Sequence, residues 1–313
     1  MKKVLFTVRY GADRLDKVRE LGYEVKFIPE GDKLTNSKET DDADVLVTYF
    51  GCYNLDIDKM KNLKYIQTTS AGLDQLPKDK ISKNSIIVAN NKDGYKVPIG
   101  EWIVKSILDI YKNTYRLHDQ KNAKIWKMDT SVKELAGQKI GFLGTGNIAK
   151  EAAKRLKGFD VEIWGMNTKG RDVEYFDKCF STYERDCLFQ KCDVIVVSMP
   201  STEDTKGIVN KHTLGLMKEG SAIVNIGRGD LIVERDLLDC IDKFRGVALD
   251  VFEEEPLSVD SEFWEKENVL ITPHNSWCSD KNVERNFRMI YENLKRYIEN
   301  EPIKNVVDIE RGY

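Results

Sequence analysis

Three side chains that bind anions or transfer protons lie in the last third of the chain. Arg228, Glu255 and His274 each come soon after a short apolar run. A guanidinium binds carboxylates, and an imidazole near a carboxylate can exchange protons at neutral pH. Because the carboxyl ends of parallel strands meet at one edge of a sheet, where ligands bind, we expect the three side chains to share that edge. The other histidines, His118 and His212, lie in polar helical stretches and are expected on the surface.

A glycine-rich turn connects an apolar run to a helical stretch in the middle of the chain. Residues 139–149 read KIGFLGTGNIA, which is a strand followed by GxGxxA. The first glycine permits a tight turn, the second lets the backbone approach a pyrophosphate, and the third position must be small, as Ala149 is. The following helix start offers N–H donors to phosphates, although a purely structural turn is the alternative. The predicted dinucleotide-binding residues are Gly144, Thr145, Gly146, Asn147 and Ile148.

The end of the next apolar run bears on the choice between NAD and NADP. An NAD-specific protein usually has Asp or Glu there to bind the ribose 2′-hydroxyl, but this chain has Asn167 and Thr168, followed by Lys169 and Arg171. A neutral residue followed by two cations suits a 2′-phosphate. The sequence therefore favours NADP, with NAD as the alternative if the two cations only form a solvated turn.

Short apolar runs alternate with helical stretches along the whole chain, which predicts an α/β fold of two domains. Those after residue 138 predict a doubly wound parallel sheet, the Rossmann arrangement, and the earlier ones predict a smaller flavodoxin-like α/β domain. A helix is predicted at 100–118, with Pro98 just before its start, and another at 282–299 that returns to the first domain. The predicted strands are 4–8, 25–28, 45–49, 65–68, 139–143, 161–166, 194–198, 222–225, 247–249 and 269–272. The predicted domains are 1–97 with 278–313, for the substrate, and 98–277, for the dinucleotide.

Composition narrows the class of protein. The chain has 49 basic and 52 acidic residues among 313, a net charge of −3, and no polybasic run, which argues against nucleic-acid binding. Its six cysteines form no CxxC pair, so we expect neither a metal site nor a disulfide framework. The first apolar run is too short for a signal peptide or a membrane span. We therefore expect a cytoplasmic protein with reduced thiols and no membrane partner.

In these motifs the chain resembles the D-isomer-specific 2-hydroxyacid dehydrogenase family. Two departures stand out, since Ala149 replaces the third glycine and Asn167 replaces the acidic residue. The matching segments occur in the family's order over nearly the whole chain: 70–74, 100–101, 144–146, 200–207, 225–229, 249–256 and 272–274.

The resemblance implies a role for each residue at the strand ends. His274 would be the general acid that protonates the alkoxide, and the base in the oxidative direction. Glu255 would hold one imidazole nitrogen and favour the charged ring, while Arg228 would pair with the substrate carboxylate and polarise the carbonyl. Ser70, Ala71 and Gly72 would form a second carboxylate cradle. Asp250 would face the nicotinamide, and the residues lining the cofactor site would be Pro200, Thr205, Ile226, Gly227 and Arg228.

The resemblance also suggests what the protein acts on and how it assembles. The expected reaction transfers a hydride between NAD(P)H and a small 2-keto acid, either of the glyoxylate or hydroxypyruvate type or branched. A 3-phosphoglycerate dehydrogenase is the alternative enzyme, and an NAD(H)-sensing co-repressor-like binding protein is the alternative of another class. The helix 100–118 and the loop to Asp129 resemble the family's dimerisation arm, which implies a homodimer; a helix packed within the chain is the alternative.

Overall fold

The computed structural model describes residues 1–31, 33–73 and 75–309. These residues divide into two compact units, one formed by Met1–Tyr95 with the described part of Ser279–Tyr313, and the other by Lys96–Cys278. The assignment of 1–97 with 278–313 to substrate and of 98–277 to cofactor stays a prediction.

The first unit is built on a parallel sheet of five strands in the order β2-β1-β3-β4-β5. This is the flavodoxin-like order, and the predicted fold class is confirmed. Most of its residues are apolar and buried because helices cover both faces of such a sheet. The fifth strand is absent from the prediction because it has only three residues and its first side chain is exposed. The strands are β1 (Lys3–Phe6), β2 (Glu24–Phe27), β3 (Val45–Thr48), β4 (Tyr65–Thr68) and β5 (Ile87–Ala89).

The second unit contains a parallel sheet of seven strands in the order β12-β11-β10-β9-β6-β7-β8. It is the predicted doubly wound sheet with one additional edge strand, β8. This strand escaped prediction because it has only three residues and begins with an exposed lysine, Lys178, so it shows no apolar run. The strands are β6 (Lys139–Leu143), β7 (Glu162–Met166), β8 (Lys178–Phe180), β9 (Val194–Val197), β10 (Ala222–Asn225), β11 (Gly246–Leu249) and β12 (Val269–Ile271).

Helices connect the strands in both units. The last helix packs on the first sheet through Phe287, Ile290 and Leu294, which share a core cluster with Val4 and Phe6. None of the helices in the described ranges is long and apolar enough to cross a membrane. The helices are α1 (Ala12–Glu20), α2 (Lys38–Asp41), α3 (Lys78–Lys83), α4 (Lys92–Lys112), α5 (Thr114–Asn122), α6 (Asn147–Leu156), α7 (Arg185–Lys191), α8 (Lys211–Leu216), α9 (Glu234–Asp239) and α10 (Asn282–Ile298).

The predicted single helix over 100–118 is wrong at both ends. Helix α4 starts before Pro98 and contains it. The carbonyl of Gly94, which a proline four residues later cannot bond, accepts a hydrogen bond from Arg285 Nη1 at 3.2 Å. Helix α4 then ends at Lys112, before Asn113, whose φ of 51° is left-handed, a conformation that asparagine tolerates better than most residues. The remainder of the predicted helix belongs to the separate helix α5.

Candidate active site

The order of the second sheet reverses at β6, which lies between β7 and β9. Gly144 follows β6 with φ 99°, and a Cβ there would lie 3.1 Å from the Cα of Met199 and from the carbonyl oxygen of Ser198. At Gly146, by contrast, a Cβ would meet no atom within 4 Å. Helix α6 then begins without a side-chain cap. A tight turn, an open face and a helix start together fit the pyrophosphate of a dinucleotide, which is held by backbone N–H groups and the helix dipole.

The turn after β7 is organised by Asn167. Its side-chain Oδ1 accepts from the N–H groups of Arg171 at 2.9 Å and Lys169 at 3.3 Å, and its Nδ2 donates to the carbonyl of Arg171 at 2.8 Å. The side chains of Thr168, Lys169 and Arg171 are exposed, and neither cation forms an ion pair with a residue that the structure describes. Asn167 therefore shapes a turn that leaves two positive charges available to an anion.

Two further loops carry residues predicted to contact the cofactor. The Thr205 hydroxyl donates to the carbonyl of Pro200 at 2.8 Å and accepts from the N–H of Thr202 at 2.8 Å, so it braces the loop after β9. Ile226 and Gly227 follow β10, and a Cβ on Gly227 would lie 2.8 Å from the carbonyl of Met199. The glycine is thus needed for close packing of the two loops. Cofactor contact by these residues stays a prediction.

The structure brings His274 and Glu255 together. The imidazole Nδ1 lies 2.7 Å from Glu255 Oε2, and the other oxygen of this carboxylate accepts from the N–H of Phe252 at 3.1 Å. The carboxylate is therefore held by the backbone on one side and orients the ring on the other. Both side chains remain partly exposed, and Nε2 is the ring nitrogen that Glu255 does not hold.

Arg228 lies on the loop after β10, which is the neighbour of β11 in the sheet. Its Nη1 donates to the carbonyl of Gly227 at 2.8 Å. A Cβ on the next residue, Gly229, would lie 1.8 Å from the carbonyl carbon of Phe252, so only glycine lets the Arg228 loop pack against the segment that leads to Glu255. Sequence reasoning included Gly229 in a motif but missed this requirement.

Asp250 has a structural environment that its predicted role did not suggest. The residue is 1% exposed, and its Oδ1 accepts from the Thr272 hydroxyl at 2.6 Å and from the N–H groups of Asn275 at 3.0 Å and Ser276 at 3.1 Å. Its carboxylate therefore holds the loop that carries His274. An acidic residue at the end of a buried strand was the available signal for this role. Contact with the nicotinamide stays a prediction.

In the first unit, the loop after β4 carries the predicted carboxylate cradle. Its carbonyl groups are all engaged: Thr69 O accepts from the Tyr95 hydroxyl, Ser70 O from the Asn91 N–H, and Ala71 O from Asn90 Nδ2. The carbonyl of Gly72 accepts from the hydroxyl of Ser70. The N–H groups of Ala71 and Gly72 donate to no residue within the described ranges. The loop thus turns its acceptors inward and leaves donors suited to an anion. Asp74, which belongs to the same motif, lies outside the described residues.

The order of the first sheet reverses between β1 and β3, and there Glu30 fills the reversal point. Its Oε1 accepts from the hydroxyls of Thr7 at 2.6 Å and Thr48 at 2.9 Å, and from the N–H groups of Tyr49 at 2.7 Å and Gly51 at 3.1 Å. Burial opposes the charge on this carboxylate, but the hydrogen bonds prevail and lower the pKa of Glu30. The sequence did not identify Glu30, because its hydrogen-bond partners are distant from it in the chain.

Comparisons with known proteins show which family this chain resembles. The family model described as the NAD binding domain of D-isomer specific 2-hydroxyacid dehydrogenase matches residues 104–276. A hydroxypyruvate reductase of Thermotoga maritima is 32% identical over 80% of this chain and 79% of its own length. A D-3-phosphoglycerate dehydrogenase of Methanocaldococcus jannaschii is 29% identical over 99% of this chain, which spans 60% of that protein. The crystal structure of an NADPH-dependent glyoxylate/hydroxypyruvate reductase from Sinorhizobium meliloti, in complex with NADP and sulfate, covers 100% of both chains with TM-score 0.83 and 24% identity, a likeness of fold.

The chain belongs to the D-isomer specific 2-hydroxyacid dehydrogenase family, and the resemblance seen in its sequence is confirmed. It is an NAD(P)-dependent oxidoreductase that acts on the CH–OH group of a 2-hydroxy acid. No cluster of three or more His, Cys, Asp or Glu side chains in the described part of the chain is arranged to hold a metal ion.

Proposed function

We propose that this protein reduces a small 2-keto acid, of the glyoxylate or hydroxypyruvate type or branched, to the D-2-hydroxy acid with NADPH. The observation that carries the proposal is the His274–Glu255 pair, 2.7 Å apart, at the carboxyl edge of a sheet whose reversal point fits a dinucleotide. A bound reduced nicotinamide supplies the hydride. The residues of the chain then have to bind the acid group, polarise the ketone and deliver one proton.

Each step has a group of suitable chemistry. Arg228 offers a planar, permanently charged fork that pairs with the substrate carboxylate and attracts electron density toward the carbonyl oxygen. The N–H groups of the loop formed by Ser70, Ala71 and Gly72 offer a second carboxylate cradle. His274 donates the proton on Nε2 to the oxygen as the C–H bond forms, which leaves a neutral ring and a hydroxy acid. Glu255 accepts from Nδ1 and stabilises the imidazolium before the transfer.

The preference for NADPH is supported by the turn after β7. This turn has Asn167 where an acidic residue would bind a ribose 2′-hydroxyl, and it exposes Lys169 and Arg171 without ion pairs to the described residues. Two cations beside a neutral amide match the charge of a 2′-phosphate.

We also propose that the protein forms a homodimer through the segment 114–128. Helix α5 has no buried residue. In the irregular segment after it, the exposed fraction is 53% for Ile125, 104% for Trp126 and 84% for Met128. Apolar groups on one segment are stabilised by a second copy that covers them. Sedimentation equilibrium measures the mass directly, and a monomer over the concentrations used for assay would contradict the proposal. The cytoplasmic location stays a prediction.

The function is tested by the loss of near-ultraviolet absorbance of NADPH or NADH in the presence of glyoxylate, hydroxypyruvate, pyruvate or a branched 2-keto acid. We expect oxidation that depends on the keto acid and is faster with NADPH. Faster turnover with NADH would contradict the cofactor assignment alone. Turnover confined to 3-phosphoglycerate oxidation would indicate the phosphoglycerate dehydrogenase alternative. Cofactor binding without turnover of any substrate would indicate a cofactor-sensing binding protein.

A further inference from the structure

His274 has a backbone conformation that is unusual for its residue type. Its φ is 49°, in the left-handed region that side chains with a Cβ occupy at a cost. Its N–H donates to the carbonyls of Asp250 at 2.9 Å and Thr272 at 3.0 Å. Because the direction of the Cα–Cβ bond follows from the backbone, this conformation determines where the imidazole points. A strained conformation persists only if the surrounding structure enforces it.

The loop around His274 is fixed by two groups, the carboxylate of Asp250 and the indole of Trp277. Asp250 accepts from Thr272, Asn275 and Ser276, as described above, so its carboxylate holds the residues that flank the histidine. The carbonyl of His274 accepts a hydrogen bond from the indole Nε1 of Trp277 at 2.8 Å. This bond restrains the carbonyl end of the peptide plane that leaves the histidine, while the N–H end of the same plane, at Asn275, is held by the carboxylate of Asp250.

We infer that Trp277 is a positioning residue that acts through the backbone of His274 and holds its imidazole in the orientation for proton transfer. The inference rests on the proposed function, in which His274 is the general acid. Without the indole donor, the peptide after His274 loses the restraint on its carbonyl and keeps only the bond from the Asn275 N–H to Asp250, so it can tilt and shift the ring relative to Glu255. Proton transfer is sensitive to such shifts because the donor must lie within hydrogen-bond reach of the oxygen. In this role Trp277 acts only through the backbone of His274 and does not touch the reacting atoms.

The test is Trp277→Phe, which keeps an aromatic ring and removes the N–H donor. Trp264→Phe is a matched control, since the Nε1 of Trp264 donates to the carbonyl of Ser258 at the same 2.8 Å and the two residues are 42% and 54% exposed. We expect kcat of the Trp277 variant to fall roughly three- to tenfold, the size of one lost hydrogen bond. KM for the keto acid, the Kd for NADPH and the melting temperature should match those of the control.

A kinetic isotope effect separates positioning from a structural role. With NADPH deuterated at the transferred position, the isotope effect on kcat should rise in Trp277→Phe, because a misplaced proton donor makes the chemical step slower relative to product release. An unchanged kcat and isotope effect would overturn the inference. A lower kcat that comes with a lower melting temperature and an unchanged isotope effect would also overturn the inference. If His274→Gln keeps full turnover, the role of His274 is wrong, and the inference is overturned together with that part of the proposed function.

Discussion

The two parallel sheets of this protein each have a point where the strand order reverses, and the two points are occupied in opposite ways. In the first sheet, the Glu30 carboxylate fills the reversal point with hydrogen bonds to Thr7, Thr48, Tyr49 and Gly51. In the second sheet, the loop after β6 has no side chain at Gly146, and a Cβ there would meet no atom within 4 Å. One reversal point is closed by the protein's own anion, and the other is open to an external one.

This difference shows that strand order creates positions where a ligand could bind but does not decide which of them binds one. Both reversal points sit at the carboxyl edge, where ligands bind in open α/β sheets, yet side chains decide which of them can accept a ligand. In the first unit, donors suited to an anion occur instead on the neighbouring loop after β4, at Ala71 and Gly72. Substitutions that close the open point and substitutions that loosen the closed one should therefore have different effects.

Closing the open point should have the largest effect. Gly146→Val places a side chain in the space predicted for the pyrophosphate, while the φ of −71° at this residue is one that valine adopts. We expect the Kd for NADPH to rise on the order of 100-fold, because the backbone can no longer approach the phosphates. Isothermal titration calorimetry measures this change. Gly158→Val, at another exposed glycine with open space around its Cβ, is the control; equal Kd values for the two variants would refute the open-point interpretation.

Reversing a charge beside the open point should have an intermediate effect. Arg171→Glu removes one of two exposed cations and adds a repulsive carboxylate. We expect NADPH binding to weaken roughly tenfold relative to NADH, about the contribution of one charge-assisted hydrogen bond. Lys191→Glu, an equivalent charge change at an exposed residue of α7, should leave the ratio unchanged. The same NADPH to NADH ratio in both variants would show that Arg171 does not recognise the 2′-phosphate.

Loosening the closed point should affect stability and leave cofactor binding intact. Glu30→Gln keeps the size of the side chain but replaces a charged acceptor by a neutral one, so the free energy of unfolding should fall by about 1–2 kcal/mol at neutral pH. Because the pKa of Glu30 is lowered by folding, the ionised carboxylate stabilises the fold above its unfolded-state pKa. This contribution is lost as the pH falls through the folded-state value.

Urea unfolding at neutral pH and in acid measures both parts of this prediction. The difference between wild type and Glu30→Gln should shrink in acid, where the carboxylate is protonated. Glu184→Gln, which alters an exposed capping carboxylate, is the control and should change stability less. A pH-independent difference for Glu30→Gln would mean that the charge of Glu30 does not stabilise the first unit.

The sequence predicted the parts of the fold and site that depend on local pattern. Apolar runs revealed ten of the twelve strands, and they missed β5 and β8, which are three residues long and partly exposed. Pro98 was read as a helix boundary because the carbonyl it leaves unbonded finds its partner, Arg285, only in three dimensions. The strand ends that carry Arg228, Glu255 and His274 were identifiable because each follows an apolar run.

The supporting contacts of the candidate site were not predictable in this way. Glu30 and Gly229 contact backbone groups of other loops, and such partners are set by how loops meet after folding. Trp277 bonds to His274 within its own loop, but the direction of its indole N–H depends on the backbone conformation of that loop. Asp250 is an intermediate case. Its position at the end of β11 was visible in the sequence, but its hydrogen bonds to the loop of His274 depend on the pairing of β11 with β12.

The proposed chemistry depends on His274, held by Glu255, as the proton donor to a 2-keto acid. Steady-state turnover with NADPH and glyoxylate should fall roughly 100-fold in His274→Gln, the scale of positioned acid–base catalysis. His212→Gln is a close control, since this imidazole also pairs with a carboxylate, Asp186, at 3.0 Å. We predict wild-type turnover for the control and a large loss for His274→Gln with NADPH binding retained. Near wild-type turnover in His274→Gln would contradict the claim.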